Sequence, residues 1–302
     1  MQRTPSYHIP VLVGEVIEFL AIKPSGVYVD ATLGGGGHTR AILQANPTVR
    51  VIGIDWDLEA IERNGMVLKE EFGDRFEPVW GNFSRIDFLL KKIGVSQVDG
   101  ILADFGTSQF QLKQAAGFSF YNDTPLDMRM SPAHQQATAA EVLNKASESV
   151  LADIFFNYGQ ERRARTFARL IVAARQQAPF IKTRQLAELI EGAAGWQKTG
   201  LHPATKVFQA LRIYVNRELD NIRSFLPAAV RLMKEKSRIA CITFHSLEDV
   251  LVKQFFKDQE LQNVLDIITP KGVVAGVEEV RINPAARSAR LRVAEYCKKS
   301  GK

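Results

Sequence analysis

The chain has 302 residues, of which 46% are hydrophobic and 24% charged, enough apolar surface for a large core, so disordered and fibrous classes are excluded. Thirty-nine Lys and Arg against thirty-three Asp and Glu leave a net +6, a basic excess that suits a nucleic-acid partner without requiring one. Two cysteines, Cys241 and Cys297, cannot build a disulfide framework, and no CxxC or His/Cys cluster has metal-ligand spacing, so no metal is expected.

A reducing, cytoplasmic setting fits this cysteine usage. The opening MQRTPSYHIP has no basic stretch leading into an apolar one, and no charge-free apolar run approaches a membrane span, so a soluble protein with no membrane partner is expected.

The first hundred residues alternate β-branched runs with helical patterns, the signature of a parallel α/β sheet. Strands are expected at Val27–Leu33, Val49–Asp55, Phe76–Trp80 and Val98–Asp104, with a helix opening at His38 and a helical stretch before each later strand. From Phe105 to Pro132 the composition turns to Gly, Ser, Gln, Phe and Asp. About seventy largely helical residues follow, with Leu151, Ile154, Phe155 and Tyr158, then Ala164, Phe167, Ala168 and Ile171, at helical spacing. Phe208, Leu211, Val215, Leu219, Ile222 and Leu226 predict one long amphipathic helix. Arg238–Phe244 returns to strand composition, followed by a helix from Glu248 to Lys257 and a last strand near Ser288–Ala294. The expected architecture is a mostly parallel, Rossmann-like α/β core, discontinuous over 1–108 and 202–302, with a helical insertion over 109–201.

Four glycines, Gly34–Gly37, stand between the first strand and its helix, where glycine lets a nucleotide approach the backbone and the helix N-terminus offers free N–H groups. The dinucleotide pattern GxGxxG fails in both registers, because Thr39 or Arg40 occupies its third glycine. An acid, three residues and Gly-x-Gly do fit, as Asp30 followed by Gly34 and Gly36, a spacing that resembles the first motif of class I S-adenosylmethionine methyltransferases. Asp55 ends the second strand, where a carboxylate can accept both ribose hydroxyls of an adenosine, and Asp57 is the spare candidate. A tight turn with a strand-end cap is the alternative.

Several words in order carry a wider resemblance: DATLGGGGHT (Asp30–Thr39), GNFS (Gly81–Ser84), GFSF (Gly117–Phe120), PLDMRM (Pro125–Met130), HPATKVFQALRIYVNREL (His202–Leu219), FHSLED (Phe244–Asp249) and NPAARSARLR (Asn283–Arg292). The chain resembles the bacterial ribosomal RNA small subunit methyltransferase H family, enzymes that methylate N4 of a cytidine in the decoding region of 16S rRNA. The resemblance implies S-adenosylmethionine as cofactor, and 16S rRNA in the small subunit as partner; a homodimer is left open. It places Gly36, Gly37, His38, Asp55, Phe83, Asp104 and Gln111 at cofactor-binding positions. This chain departs from the family pattern at Phe105, Thr107, Gln109, Lys113 and Ala285.

A cytosine amine is a poor nucleophile, so the site must position its lone pair toward the methyl. Asp104, at the carboxyl end of the fourth strand, is the candidate orienter and late proton acceptor. A ring among Phe105, Phe110, Phe118, Phe120 and Tyr121 is a candidate to stack the extruded base, with core packing as the alternative. Phe83 stands between adenine contact and core packing. His245 stands between a catalytic role and a structural one, and Ser246 with Asp249 reads as a capping box. Asp127 and Arg129 pair with each other or meet RNA. Arg162, Arg165 and Arg169 form one basic stripe, and Arg281, Arg287, Arg290, Arg292, Lys298 and Lys299 another; each suits phosphate or plain solvent. A nicotinamide-dependent dehydrogenase and an inactive RNA-assembly factor are the competing readings. The missing third glycine opposes the first, and the intact Gly34, Gly36, Asp55 and Asp104 oppose the second.

Overall fold

The computed structural model describes residues 10–106, 115–135, 137–195, 200 and 202–297. The chain forms two compact units, Met1–Ser108 with Leu219–Lys302, and Gln109–Glu218.

In the first unit, helix α1 (Val13–Leu20) precedes a sheet whose strands follow the expected βα alternation: β1 (Val27–Asp30), α2 (Gly37–Ala45), β2 (Arg50–Asp55), α3 (Leu58–Ala60), a π-turn over Ile61–Gly65, α4 (Met66–Phe72), β3 (Phe76–Trp80), α5 (Ile86–Lys92) and β4 (Val98–Asp104). After the second unit the chain adds β5 (Met233–Thr243), β6 (Leu265–Ile267), β7 (Val273–Val274) and β8 (Arg290–Tyr296). The strand order is β3-β2-β1-β4-β5-β8-β6, with β7 on β8; β1 to β5 are parallel, and β8 runs antiparallel to β5. This is a Rossmann-like, mostly parallel sheet, as expected. The order reverses between β1 and β4, which opens a crevice at their carboxyl ends.

Alternation along each strand divides the core between the two faces of the sheet. Val29, Ile52, Ile101 and Ile239 pack on one side with Ile86, Phe225 and Phe256. Tyr28, Val51, Leu102 and Ala240 pack on the other with Val16, Leu20 and Ile42. Burial on both faces is why these strands read as continuous apolar runs.

The second unit is a helical cluster of α6 (Ala139–Lys145), α7 (Glu148–Gly159), α8 (Ala164–Ala174), α9 (Thr183–Ala194) and α10 (Thr205–Asn216) around Leu151, Phe155, Phe167, Ile171, Ile190 and Leu211. It extends to residue 218, beyond the expected end at 201, because Val207, Phe208, Leu211 and Val215 of α10 complete its core. The single long helix expected from Phe208 to Leu226 is two. Arg217 takes a left-handed conformation (φ 51°) between α10 and α11 (Glu218–Arg231). Asn216 is buried at that break. Its Nδ2 donates to the Met128 and Arg212 carbonyls at 2.7 and 2.8 Å, and its Oδ1 accepts from Met130 N–H at 2.9 Å.

Two further local readings are corrected. The helix after β5, α12 (Ser246–Leu261), is capped one residue earlier than expected, by His245 with Glu248 rather than by Ser246 with Asp249. Asp249 instead receives a bidentate Arg292, at 2.7 and 2.9 Å. Arg292 is 5% exposed, so it belongs to a structural ion pair and leaves the basic stripe. Arg281 and Arg287 are exposed, and Lys298 and Lys299 lie outside the described residues. Among the described residues no helix is long and apolar enough to cross a membrane.

Candidate cofactor and active site

The loop after β1 is stitched to both neighbouring strands. Ala31 N–H donates to the Leu102 carbonyl and Leu33 N–H to the Ile54 carbonyl, both at 2.8 Å. Gly34 and Gly36 then take φ of 48° and 74°, which favours glycine. The close fit is steric as well: a Cβ on Gly36 would stand 2.7 Å from Leu68, and one on Gly37 would stand 2.7 Å from Pro10. Gly36 is the N-cap of α2 and supplies no side-chain acceptor, and within the first turn the Thr39 N–H reaches Asp30.

Asp55 ends β2 and faces this loop. Its Oδ2 accepts from Gly34 N–H at 2.7 Å and its Oδ1 from Asp57 N–H at 2.9 Å, while the second lone pair of each oxygen remains for hydroxyl donors. Burial raises its pKa to about 7. The spare candidate Asp57 is instead the cap of α3, accepting from Glu59 N–H at 3.0 Å. Asp30 is also not open to a ligand. It is 1% exposed, and its two oxygens accept from Thr32 N–H at 3.2 Å and Thr39 Oγ1 at 2.8 Å, so it braces the loop from within. Burial raises its pKa, against the opposing charge of His38 and the Thr39 hydroxyl.

Asp104 closes β4 beside the loop. Its N–H donates to Thr32 Oγ1 at 2.7 Å, its Oδ2 lies 3.7 Å from His38 Nδ1, and its Oδ1 is buried with no hydrogen-bond partner among the described residues. Burial raises its pKa to about 7; His38 pulls it down, and Asp30 and Glu248 push it up. A buried carboxylate oxygen without a donor is costly, and a ligand donor would satisfy it. The left-handed glycines, the uncapped helix start, Asp55 and this oxygen together fit a nucleoside-bearing cofactor.

Phe83 lies in the turn after β3 and packs on Phe105 and Phe225, with centroids 5.7 and 5.5 Å away. Phe105, at 2% exposure, is therefore a core ring and no base stacker. Phe118 is buried as well, and Phe120 stacks on His202 at 4.5 Å. Tyr121 is 80% exposed, and Phe110, like the cofactor candidate Gln111, lies outside the described residues.

His245 follows β5, the neighbour of β4. Its Nδ1 accepts from Glu248 N–H at 3.4 Å, and its Nε2 lies 3.2 Å from Glu248 Oε1, so its ring serves the start of α12. Asp127 and Arg129 pair with each other, through contacts of 2.7 and 2.9 Å. Sequence reasoning missed Thr32 and Asn64. The first ties the loop to β4, and the second donates to the Gly34 carbonyl at 2.7 Å. Neither has a motif spacing that signals it, although Thr32 stands inside the acid-to-glycine interval.

Similarity to known proteins runs nearly end to end. The chain matches the sequence model of the MraW methylase family over residues 5–297. It is 46% identical to ribosomal RNA small subunit methyltransferase H of Nitrobacter hamburgensis over 310 residues, covering 98% of this chain and 92% of that protein. It is 45% identical to the protein of the same name from Carboxydothermus hydrogenoformans, covering 95% and 97%. The chain therefore belongs to the MraW methylase family.

Proposed function

We propose that this methyltransferase acts on N4 of a specific cytidine in the decoding region of 16S rRNA, in the small ribosomal subunit. The observation that carries the chemistry is the buried Oδ1 of Asp104, unpartnered among the described residues, at the switch point of the sheet. S-adenosylmethionine supplies an electrophilic methyl on a sulfonium. Gly34, Gly36, Gly37 and the backbone start of α2 would hold the cofactor, Asp55 would accept its ribose hydroxyls, and Phe83 would flank it.

Asp104 then orients the exocyclic amine by accepting one of its hydrogens, which turns the nitrogen lone pair toward the methyl. The amine becomes acidic only as the new N–C bond forms, and a carboxylate with a pKa near 7 takes that proton better than an ordinary aspartate. His245 holds the wall at the end of β5 rather than the reacting proton, because both its ring nitrogens face Glu248.

RNA recognition falls to the second unit. Gln109–Glu218 contains fourteen Lys and Arg against nine Asp and Glu, so it carries a net +5 of the chain's +6. Arg162, Arg165 and Arg169 are exposed at and along α8, opposite its buried Phe167, Ala168 and Ile171. Such a stripe suits phosphates. The protein is expected to work in the cytoplasm, where its substrate is.

The test is methyl transfer from labelled S-adenosylmethionine to small subunits lacking the modification, followed by nuclease digestion and nucleoside mass spectrometry. Label in N4-methylcytidine that disappears with Asp104→Ala supports the reading. Label in another nucleoside, or undiminished transfer by Asp104→Asn, sinks it.

A further inference from the structure

The ring of His38 is turned away from solvent, and only 7% of the side chain is exposed. Its Nε2 lies 2.8 Å from the Val11 carbonyl oxygen. A carbonyl has no hydrogen to give, so Nε2 carries the N–H and the ring orientation is set. Nδ1 is thereby aimed at Asp104 Oδ2, at the ion-pair distance of 3.7 Å. On the other side of that carboxyl, Oδ1 is buried and unpartnered among the described residues. The charged groups around the pair are Asp30 on β1 and Glu248 on α12, both acidic. Asp30 and Asp104 both act on the imidazole, and Glu248 acts on Asp104.

We infer that His38 is a positioning residue: anchored on Val11 through its Nε2–H, it holds the Asp104 carboxyl with Oδ2 engaged, leaving Oδ1 free to accept the amine hydrogen. This rests on the reading that Asp104 receives the N4 proton. In the transfer the N–C bond forms as the sulfonium S–C bond breaks. The N4 proton then passes to Asp104 Oδ1, and the sulfur leaves neutral. Burial alone drives Asp104 toward its neutral form, which cannot use Oδ1 as a full acceptor, and His38 opposes this. The family resemblance placed His38 beside the cofactor; the geometry gives its side chain a different task.

The test has two independent arms. Nitrogen-15 histidine spectra of the cofactor-free protein read tautomer and charge directly. The expected result is an N–H on Nε2 and an Nδ1 signal that shifts in Asp104→Asn. In the second arm, single-turnover methyl transfer is followed against pH with saturating cofactor. His38→Gln, whose amide can still donate to Val11, is expected to move the acid limb upward by roughly one pH unit or more. An Nδ1 signal indifferent to Asp104→Asn, or an acid limb that stays in place, overturns the inference. If the wild-type protein methylates no small subunit, the functional reading fails, and the spectra still decide the role of His38.

Discussion

Asp104 and Thr32, seventy-two positions apart, are joined by a hydrogen bond of 2.7 Å from the backbone N–H of one to the hydroxyl of the other. The bond ties the end of β4 to the glycine loop across the point where the strand order reverses, so the candidate catalytic carboxyl and the cofactor loop share one support.

Thr32→Val keeps the shape and removes the acceptor. The Asp104 N–H is then left unsatisfied at a partly buried site, a loss of about 1–3 kcal/mol. S-adenosylhomocysteine is expected to bind roughly tenfold or more weakly by calorimetry, at one factor of ten per 1.4 kcal/mol. Unchanged affinity would show that the loop holds its conformation without this tie.

The raised carboxyls make stability fall as pH rises. Asp104 stands at about 7 in the folded protein against an ordinary 3.8, so the folded state keeps a proton that the unfolded chain releases. By linkage, stability is lost between about pH 4 and 7, on the order of 4 kcal/mol at most, and changes little above that. Asp104→Asn mimics the protonated form. Its Tm is expected to exceed that of the wild type by several degrees at pH 8, with a much smaller gap at pH 5.

The basic stripe on α8 is testable apart from the chemistry. Arg165→Glu with Arg169→Glu changes two exposed side chains and touches no core residue. RNA affinity is expected to fall, and the slope of log K against log salt to flatten by about 0.7–0.9 for each phosphate that is no longer neutralised. Cofactor affinity should stay as it was. An unaltered salt slope would assign the stripe to solvent.

Helix packing in the second unit depends on Gly159, the last residue of α7. A Cβ there would lie 2.5 Å from the Lys206 carbonyl oxygen at the start of α10. Backbone cannot step aside as a flexible side chain does, so Gly159→Ala is expected to cost about 2–3 kcal/mol. Chemical denaturation followed by circular dichroism would measure it.

Much of the fold was legible in the sequence because its determinants are local. Parallel strands buried on both faces read as β-branched runs, and a loop that must bend through left-handed angles reads as glycine, as Gly34 and Gly36 do. The strand-end positions of Asp55 and Asp104 were legible for the same reason, since a strand's carboxyl end in such a sheet is a position that spacing alone can count. The break at Arg217 was not legible: apolar spacing continues through Phe208 to Leu226, and only the buried amide of Asn216, bonded to Met128 and Met130 some eighty-six to eighty-eight positions away, marks it.

Tertiary structure alone decided what each polar side chain does. Arg292 and Arg287 look alike in a basic stretch, yet one is buried against Asp249 and the other meets solvent. Asp30 and Asp55 both end strands beside one loop, but Thr39 and Thr32 occupy the first while the second keeps acceptor capacity for a ligand. His38 and His245 each face a carboxyl, and the partner differs: Asp104 at the crevice for one, Glu248 under a helix start for the other. Such roles depend on hydrogen-bond partners brought from distant parts of the chain and on the desolvation that packing imposes, and neither quantity is written in residue order.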